Sequence, residues 1–226
     1  MLLTDLLFGG ILLSPIALAV PHGRDREPEY YERPNTYTLT VYKKQDPKYN
    51  GLKVEGSNMA LFQSSTASYC PDSVRQSGSC PNGTELAFSG QFYPYSIVPG
   101  GQEFYVAYDG EPAITRQHSH SFPSNSYPYY YGWTWTAFEK KRGRKFLERC
   151  PRRDPVYDCR QPSGYWTFKA PDGPAGYEGG LMACPSKYAP EQTSVWMVTP
   201  GFSQTGCVKL DGLATHNYTG PPVWAY

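Results

Sequence analysis

The amino-acid sequence predicts an all-β protein, an antiparallel β-sandwich or barrel with long loops, stabilised by disulfides. Short segments rich in aromatic and β-branched residues are separated by Gly and Pro turn signals, such as Val98-Pro99-Gly100-Gly101. The 226 residues include 22 Gly and 22 Pro, and no window supports a long amphipathic helix. Six cysteines lie downstream of the N-terminal segment, which allows three bridges in an oxidising compartment.

Several segments have the length and composition of strands. The first, Tyr37–Tyr42, alternates with the period of two that is typical of a half-buried strand. The least strand-like stretch is Phe138–Leu147, which Gly143 interrupts. The other predicted strands are residues 59–63, 85–89, 103–108, 133–138, 165–169, 180–184, 195–199 and 207–210.

The N-terminus has the composition of a secretory signal peptide. The apolar stretch Leu6–Ala17 ends at Ala17-Leu18-Ala19, where small residues at −3 and −1 predict cleavage after Ala19. The n-region departs from the usual pattern, because it has no Lys or Arg and carries Asp5. The apolar run is shorter than the roughly 20 residues that span a bilayer, and no other segment is long enough. We therefore expect a secreted protein, extracellular or in the cell wall, with residues 1–19 as its signal peptide.

The remaining chain divides by composition into a leader and a domain. Residues 20–36 alternate in charge and contain three prolines, so we expect a flexible leader. Residues 37–226 are predicted to form a single β domain. The formal net charge is +1, and removing Asp5 with the signal makes it +2. Such a weak charge does not indicate nucleic acid or a membrane as the main partner.

The cysteines and two sequons suggest covalent features of a secreted protein. Sequence-local pairing is a hypothesis, since six cysteines allow fifteen connectivities. The acceptor tripeptides Asn82-Gly83-Thr84 and Asn217-Tyr218-Thr219 predict N-glycosylation. The local cysteine pairs are Cys70 with Cys80, Cys150 with Cys159, and Cys184 with Cys207.

An ordered series of motifs points to a family. The motifs are Ser68-Tyr69-Cys70-Pro71 with Cys80-Pro81-Asn82-Gly83-Thr84-Glu85, the turn and strand Val98–Val106, Gln117-His118-Ser119-His120, Gly180–Pro185, Gly206–Leu213 and the closing Tyr218–Tyr226. Together they resemble a group of small secreted fungal proteins known as IgE-binding, which is related to fungal cell-wall proteins needed for phialide formation. The resemblance implies a secreted or wall-associated β protein of undefined biochemical activity.

The resemblance also marks one region as different. It runs from about Tyr37 to Tyr226 with a gap at about 123–176, which we interpret as an insertion. Cys70–Cys80 and Cys184–Cys207 resemble bridges of the family, whereas Cys150 and Cys159 lie in the gap and would clip the insertion.

No motif indicates catalysis or a cofactor. The chain has no Gly-x-Ser-x-Gly elbow, His-Glu-x-x-His, Cys-x-x-Cys or phosphate-binding loop. His118 and His120 would share one face of a strand and are candidate metal ligands, but no third ligand has a telling spacing, so we interpret them as polar loop or strand-end residues. His22 could bind the copper of an oxygenase as an N-terminal histidine only if the signal peptide were cleaved directly before it. Cleavage after Ala19 fits the sequence better. Carboxylates that a glycosidase could use are Asp109, Glu111, Glu103, Asp154 and Asp158.

The run Tyr127–Trp135 is rich in aromatic residues. Alternation would place the rings of Tyr131, Trp133 and Trp135 on one face of a strand, where an exposed arrangement would stack on sugar rings. A buried arrangement, with Thr134 and Thr136 facing outward, would fill the core with these rings, and we favour it. The candidate glycan-binding aromatics are Tyr129, Tyr131, Trp133 and Trp135.

A basic segment follows the aromatic run. Residues 139–154 contain eight Lys and Arg and three acidic residues, a net charge of +5. Such a patch can hold an acidic polysaccharide or an anionic surface, and a solvated loop without a partner is the alternative. Lys141-Arg142 is also a dibasic pair that a processing protease could cut. The candidate anion-binding residues are Lys140, Lys141, Arg142, Arg144 and Lys145.

These observations support a non-enzymatic extracellular or cell-wall-associated protein that binds glycans or surface components. The alternatives are a secreted glycan-active enzyme, either a carboxylate glycosidase or a copper oxygenase, and an effector or antigen that binds a host protein. The sequence predicts no cofactor and does not decide the oligomeric state.

Overall fold

The all-β prediction is confirmed by the computed structural model, which describes residues 28–140, 153–187 and 189–226. The predicted signal peptide and most of the basic segment lie outside these ranges. Within them the elements are β1 (Thr36–Tyr42), α1 (Asp72–Gln76), β2 (Ala87–Ser89), β3 (Tyr93–Pro94), β4 (Phe104–Val106), β5 (Pro112–Ile114), β6 (Tyr127–Pro128), β7 (Trp133–Ala137), β8 (Gly164–Phe168), β9 (Leu181–Pro185), β10 (Thr193–Met197), β11 (Val208–Leu210) and β12 (Gly212–Asn217).

The strands form one large and two small antiparallel sheets. The six-stranded main sheet has the order β3-β2-β1-β12-β8-β7. Its centre is the long pairing of β1 with β12, from Tyr37 opposite Asn217 to Tyr42 opposite Gly212. The small sheets have the orders β10-β9-β11 and β5-β4-β6. Strands close in sequence therefore build the small sheets, whereas the main sheet joins the two ends of the domain.

The hydrophobic core lies between the main sheet and the small sheets. Tyr37, Leu39 and Val41 of β1 alternate into it, as the period-two pattern predicts. Rings from different elements meet there: Phe92 lies 4.2 Å from Trp133, and Phe88 of β2 lies 5.6 Å from Phe104 of β4, measured between centroids. Aromatic side chains bury large areas, so they dominate the stability of such a core.

The second face of the main sheet is also covered. Thr38, Thr40 and Tyr42 of β1 are buried although they point away from the core. On this side Arg160 Nη2 donates to Thr38 Oγ1 at 3.4 Å, and the ring of Tyr42 lies 4.9 Å from that of Tyr165, measured between centroids. Two-sided burial explains why β12, whose Gly212–His216 are all buried, has no alternating pattern and was not predicted as a strand.

One predicted strand is wrong. Residues 59–63 form turns instead, with positive φ at Met59 (50°) and Phe62 (62°), a backbone region outside the strand range. Only Ala60 is bridged, to Glu55 and Ser194.

Part of the predicted flexible leader lies against the domain. Residues 20–27 are outside the described ranges, but Tyr30 bridges Glu139. The Tyr31 N–H donates to the Phe138 carbonyl at 2.9 Å, and the Lys140 N–H donates to the Glu29 carbonyl at 2.7 Å. The amino-acid composition did not predict this contact, because the hydrogen bonds join backbone N–H and carbonyl groups. Every residue except proline carries both groups.

Two of the sequence-local cysteine pairs are disulfides, Cys70–Cys80 and Cys184–Cys207. Cys159 is also disulfide-bonded, and Cys150 lies outside the described residues. The predicted insertion, about 123–176, supplies β6, β7 and β8, so its strands belong to two of the sheets. In the described part of the chain, no helix is long and apolar enough to cross a membrane.

Candidate functional site

The aromatic run divides between the core and the surface. Trp133 is 8% exposed and packs in the core, and Trp135 is half-buried, with its indole N–H donating to Thr215 Oγ1 at 3.3 Å. Thr134 and Thr136 are exposed on either side of Trp135, so the favoured arrangement holds within the strand. It is wrong for Tyr131, which lies before the strand in a turn and is 49% exposed.

That turn presents three consecutive tyrosines. The Tyr131 N–H donates to the Pro128 carbonyl at 2.9 Å and closes the turn. Gly132 follows with φ +78°, and a Cβ there would lie 2.7 Å from the Lys169 carbonyl oxygen. Tyr130 and Tyr131 are each 49% exposed. Glycine at 132 therefore lets the chain pass close to β8 while the tyrosine rings stay outside.

The exposed rings of Tyr130 and Tyr131 continue a row that begins with the half-buried Tyr93 and Tyr129. This row is here called the tyrosine face (Tyr93, Tyr129, Tyr130 and Tyr131). Ring centroids are 6.1 Å apart for Tyr93 and Tyr129, 5.0 Å for Tyr129 and Tyr130, and 4.7 Å for Tyr130 and Tyr131. The Tyr93 hydroxyl lies where a Cβ on Gly101 would be. Mutual contact restricts the rotamers of these rings, so the row is organised before any ligand arrives.

A polar pair adjoins the tyrosine face. His120 Nδ1 lies 2.6 Å from Glu103 Oε1, and the two side chains are 61% and 15% exposed. Burial raises the pKa of Tyr129, and the nearby charge of Glu103 raises it further. On the same side of β4, Tyr105 packs against Phe122 at 5.9 Å. The surface thus combines aromatic rings with hydrogen-bonding groups, as ligand sites commonly do.

The two candidate histidine ligands make different contacts. His118 adopts a φ of 61° and its backbone N–H donates to the Gly101 carbonyl, while His120 is paired with Glu103. Among residues 28–140, 153–187 and 189–226, no three His, Cys, Asp or Glu side chains are grouped so that they could hold a metal ion.

Only one of the candidate anion-binding residues lies in the described part of the chain. Lys140 Nζ stands 5.7 Å from the ring centroid of Tyr31, a cation–π arrangement. Lys141, Arg142, Arg144 and Lys145 are outside the described residues.

A second candidate site is a charged cleft on the other face of the main sheet. Its volume is about 300 Å³, and oppositely charged pairs occupy its walls. Lys53 Nζ lies 3.0 Å from Glu85 Oε1, and Arg160 Nη2 lies 2.6 Å from Asp158 Oδ2. The principal lining residues are Lys53, Glu85, Tyr157, Asp158, Arg160 and Tyr218.

A buried polar network continues inward from this cleft. Thr40 Oγ1 lies 2.9 Å from His216 Nε2, and His216 Nδ1 lies 3.8 Å from Asp158 Oδ2. Burial alone would raise the pKa of Asp158, but the Arg160 hydrogen bonds, together with the charges of His216 and Arg160, lower that pKa. Burial lowers the pKa of His216 to about 4, so its imidazole is neutral at pH 7.

The order hydroxyl, imidazole, carboxylate is that of a catalytic triad, yet the packing does not suit catalysis. Thr40 is 1% exposed, so a substrate cannot reach its hydroxyl. We interpret Thr40, His216 and Asp158 as a structural network that ties β1, β12 and residue 158 together. Sequence reasoning missed it because the three residues are far apart in the chain and form no local motif.

Of the candidate carboxylates, Asp109 and Glu111 lie together in the turn between β4 and β5. Burial raises the pKa of Glu111, and the charge of Asp109 adds to that shift. Lys187 Nζ pairs with Asp109 Oδ2 at 3.6 Å. Glu103 binds His120, Asp158 belongs to the buried network, and Asp154 Oδ1 accepts the Val156 N–H at 3.1 Å. The candidate carboxylates are therefore engaged in different contacts.

Comparison with known proteins gives a secreted fungal relative. The chain is 29% identical over 167 residues to an uncharacterized secreted protein of Arthroderma benhamiae, covering 72% of this chain and 70% of that protein. No protein-family model matches the sequence, and no solved structure matches it. The relative confirms that the protein is secreted. It also confirms the broader part of the resemblance, which is the similarity to secreted fungal proteins.

Proposed function

We propose that this secreted protein is a non-enzymatic extracellular or wall-associated protein that binds glycans through the tyrosine face. The observation that carries the proposal is the row of Tyr93, Tyr129, Tyr130 and Tyr131, whose rings touch one another in sequence and are partly exposed. Exposed apolar surface arranged in this way is typical of an interaction site.

The chemistry of the face suits sugar rings. A pyranose has C–H groups on its faces, which pack on aromatic rings, and hydroxyls at its edge, which need hydrogen-bond partners. The tyrosine hydroxyls and the His120–Glu103 pair supply such partners beside the rings. Because the rings are already in contact, binding restricts few rotamers, which favours affinity.

The resemblance to IgE-binding-like and phialide cell-wall proteins supports a wall polysaccharide as the glycan. Its motifs include Gly100-Gly101-Gln102-Glu103 and His118-Ser119-His120. In the fold, Glu103 and His120 stand next to Tyr129. Two of the motifs that carry the resemblance therefore contribute a residue each beside the tyrosine face.

The test is retention of the purified protein on insoluble glucan, chitin and mannan. We expect the wild-type protein to be retained on one of them, and Tyr130→Ala/Tyr131→Ala to lose roughly tenfold or more in affinity, since each stacked ring contributes on the order of 1 kcal/mol. Both residues are half exposed, so the double variant should unfold at an unchanged temperature.

Tyr69→Ala is the matched control, because Tyr69 is 52% exposed and lies outside the tyrosine face. It should bind like the wild type. Absence of retention on every glycan would refute glycan binding, and equal losses in the control and the double variant would place binding elsewhere.

A further inference from the structure

The N-terminal strap, residues 29–35, lies over a groove that contains an N-glycosylation acceptor. The strap is held at one end by the Tyr31–Phe138 and Lys140–Glu29 backbone hydrogen bonds. At the other end the Gly90 N–H donates to the Asn35 carbonyl at 3.0 Å. Between them the Arg33 guanidinium stands 5.4 Å from the ring centroid of Trp166. The strap is therefore held by backbone hydrogen bonds at both ends and by the Arg33–Trp166 contact between them.

The groove beneath the strap measures about 450 Å³, within the roughly 300–1,000 Å³ range of small-molecule sites. One wall is the strap from Tyr31 to Asn35, and the other consists of Gln161, Ser163 and Asn217. Its lining offers one aromatic ring and several hydrogen-bonding groups, which is the composition that a sugar residue needs.

Asn217 belongs to the acceptor tripeptide Asn217-Tyr218-Thr219. It ends β12, its side chain is exposed, and its carbonyl accepts from Arg160 Nη1 at 3.1 Å. The Tyr218 N–H donates to the Thr36 carbonyl at 3.0 Å. These two bonds hold the backbone of the sequon, so a sugar on Asn217 Nδ2 would be attached at the wall of the groove.

We propose that Asn217 carries an N-linked glycan whose first N-acetylglucosamine fills this groove and fastens the strap to the domain. During secretion the Asn217 amide nitrogen would attack the anomeric carbon of a lipid-diphosphate-linked oligosaccharide. The nitrogen loses one proton, and the lipid diphosphate leaves with the electron pair of its bond to the sugar. The attached sugar then has Tyr31 for stacking and Asn35, Gln161 and Ser163 for hydrogen bonds.

The other sequon provides an internal comparison. Asn82 is exposed and lies beside Gly83, whose N–H donates to the Pro222 carbonyl. It lies outside the groove of Asn217. A glycan at Asn82 would therefore leave the strap unchanged.

The experiment uses the full chain secreted from a eukaryotic host. Glycopeptide mass spectrometry measures occupancy at both sequons, and hydrogen–deuterium exchange reports on residues 29–35. We expect Asn217 to be occupied and Asn217→Gln to speed exchange of the strap roughly fivefold to tenfold, the effect of losing a contact worth about one hydrogen bond. An endoglycosidase that leaves one N-acetylglucosamine should preserve the slow exchange, because only the first sugar lies in the groove.

Three variants separate the glycan from the side chain. Thr219→Ala removes the sequon without changing Asn217 and should behave like Asn217→Gln, whereas Thr219→Ser retains it and should behave like the wild type. Asn82→Gln should leave exchange of the strap unaltered. An unmodified Asn217 in the secreted protein, or a strap that exchanges equally with and without the sugar, would overturn the proposal.

Discussion

At the scale of single residues, burial decides the charge state of groups whose sequence context looks ordinary. Glu55 is 2% exposed and its Oε2 accepts the Leu86 N–H at 2.7 Å. Burial, reinforced by the charge of Glu85, raises the pKa of Glu55 to about 8. Lys53, two residues away, pairs with Glu85. Glu55 is therefore a neutral acid inside the protein at pH 7, which no local motif signals.

This gives a pH-dependent prediction for Glu55→Gln. The folded-state pKa of Glu55 lies above its unfolded value, so the stability that this group contributes is full below about pH 4.5 and is lost as the pH rises to about 8. Glutamine cannot ionise, so the variant should gain roughly 3–5 kcal/mol relative to the wild type between pH 4.5 and 8.5. Urea unfolding of both proteins across this range measures the difference.

The comparison also controls for His216. Its lowered pKa acts with the opposite sign, since the stability contributed by the neutral imidazole is lost as the pH falls from about 6.5 to about 4. His216 is present in both proteins, so its contribution cancels in the difference. A difference between Glu55→Gln and the wild type that stays constant with pH would contradict the burial of an ionisable Glu55.

At the scale of elements, turns decide which aromatic side chains are exposed on the surface. The alternation of aromatic and polar residues predicted β7 correctly, because Trp133 faces the core and Thr134 faces solvent. The tyrosines before it depart from that alternation at Gly132, where the positive φ ends the turn. Periodicity extended backwards from β7 placed Tyr131 on the strand, and only the turn geometry moved it to the tyrosine face.

Gly132→Ala tests this role of the turn. The new Cβ would lie 2.7 Å from the Lys169 carbonyl oxygen and 2.8 Å from Phe168 Cε2. We expect a loss of roughly 2–4 kcal/mol in stability from the clash and the left-handed backbone. Glycan retention should fall as well, because the displaced turn carries Tyr130 and Tyr131. Denaturant unfolding and the polysaccharide assay measure the two effects.

Gly176→Ala is the corresponding control. Gly176 also has a positive φ (+84°), but a Cβ there meets no atom within 4 Å. It should lose only about 1 kcal/mol, the cost of the backbone conformation, and keep its glycan retention. Equal behaviour of the two variants would show that the contact of Gly132 with β8 does not position the turn.

At the scale of the whole molecule, the C-terminal residues join the main sheet to the small sheet of β4, β5 and β6. Gln102 is 1% exposed; its Oε1 accepts the Tyr226 N–H, and its Nε2 donates to the carbonyls of Tyr226 and Thr115. The Tyr226 hydroxyl accepts the Ala87 N–H of β2 at 2.9 Å. One buried amide thus connects three distant parts of the chain.

Gln102→Ala should destabilise the whole domain. It leaves the Tyr226 N–H and the carbonyl oxygens of Tyr226 and Thr115 without their partner, and each buried unsatisfied group costs about 1–3 kcal/mol. We expect a loss of roughly 2–4 kcal/mol, seen as a lower urea midpoint in a single transition. Gln45→Ala, at an exposed position, should change the midpoint little. A Gln102→Ala midpoint equal to that of Gln45→Ala would contradict this account.

The sequence by itself determined the β class and the secreted localisation, and it suggested the local cysteine pairs Cys70–Cys80 and Cys184–Cys207, which the structure contains. Each depends on neighbouring residues, such as the alternation in Tyr37–Tyr42 or the apolar run before Ala19. The tertiary structure decided that β12 lies at the centre of the main sheet, that Thr40, His216 and Asp158 meet, and that Tyr130 and Tyr131 are exposed while Trp133 is buried. The physical reason is that alternation reports one buried face only. A strand covered on both faces, and contacts between residues far apart in the chain, depend on packing that no local pattern records.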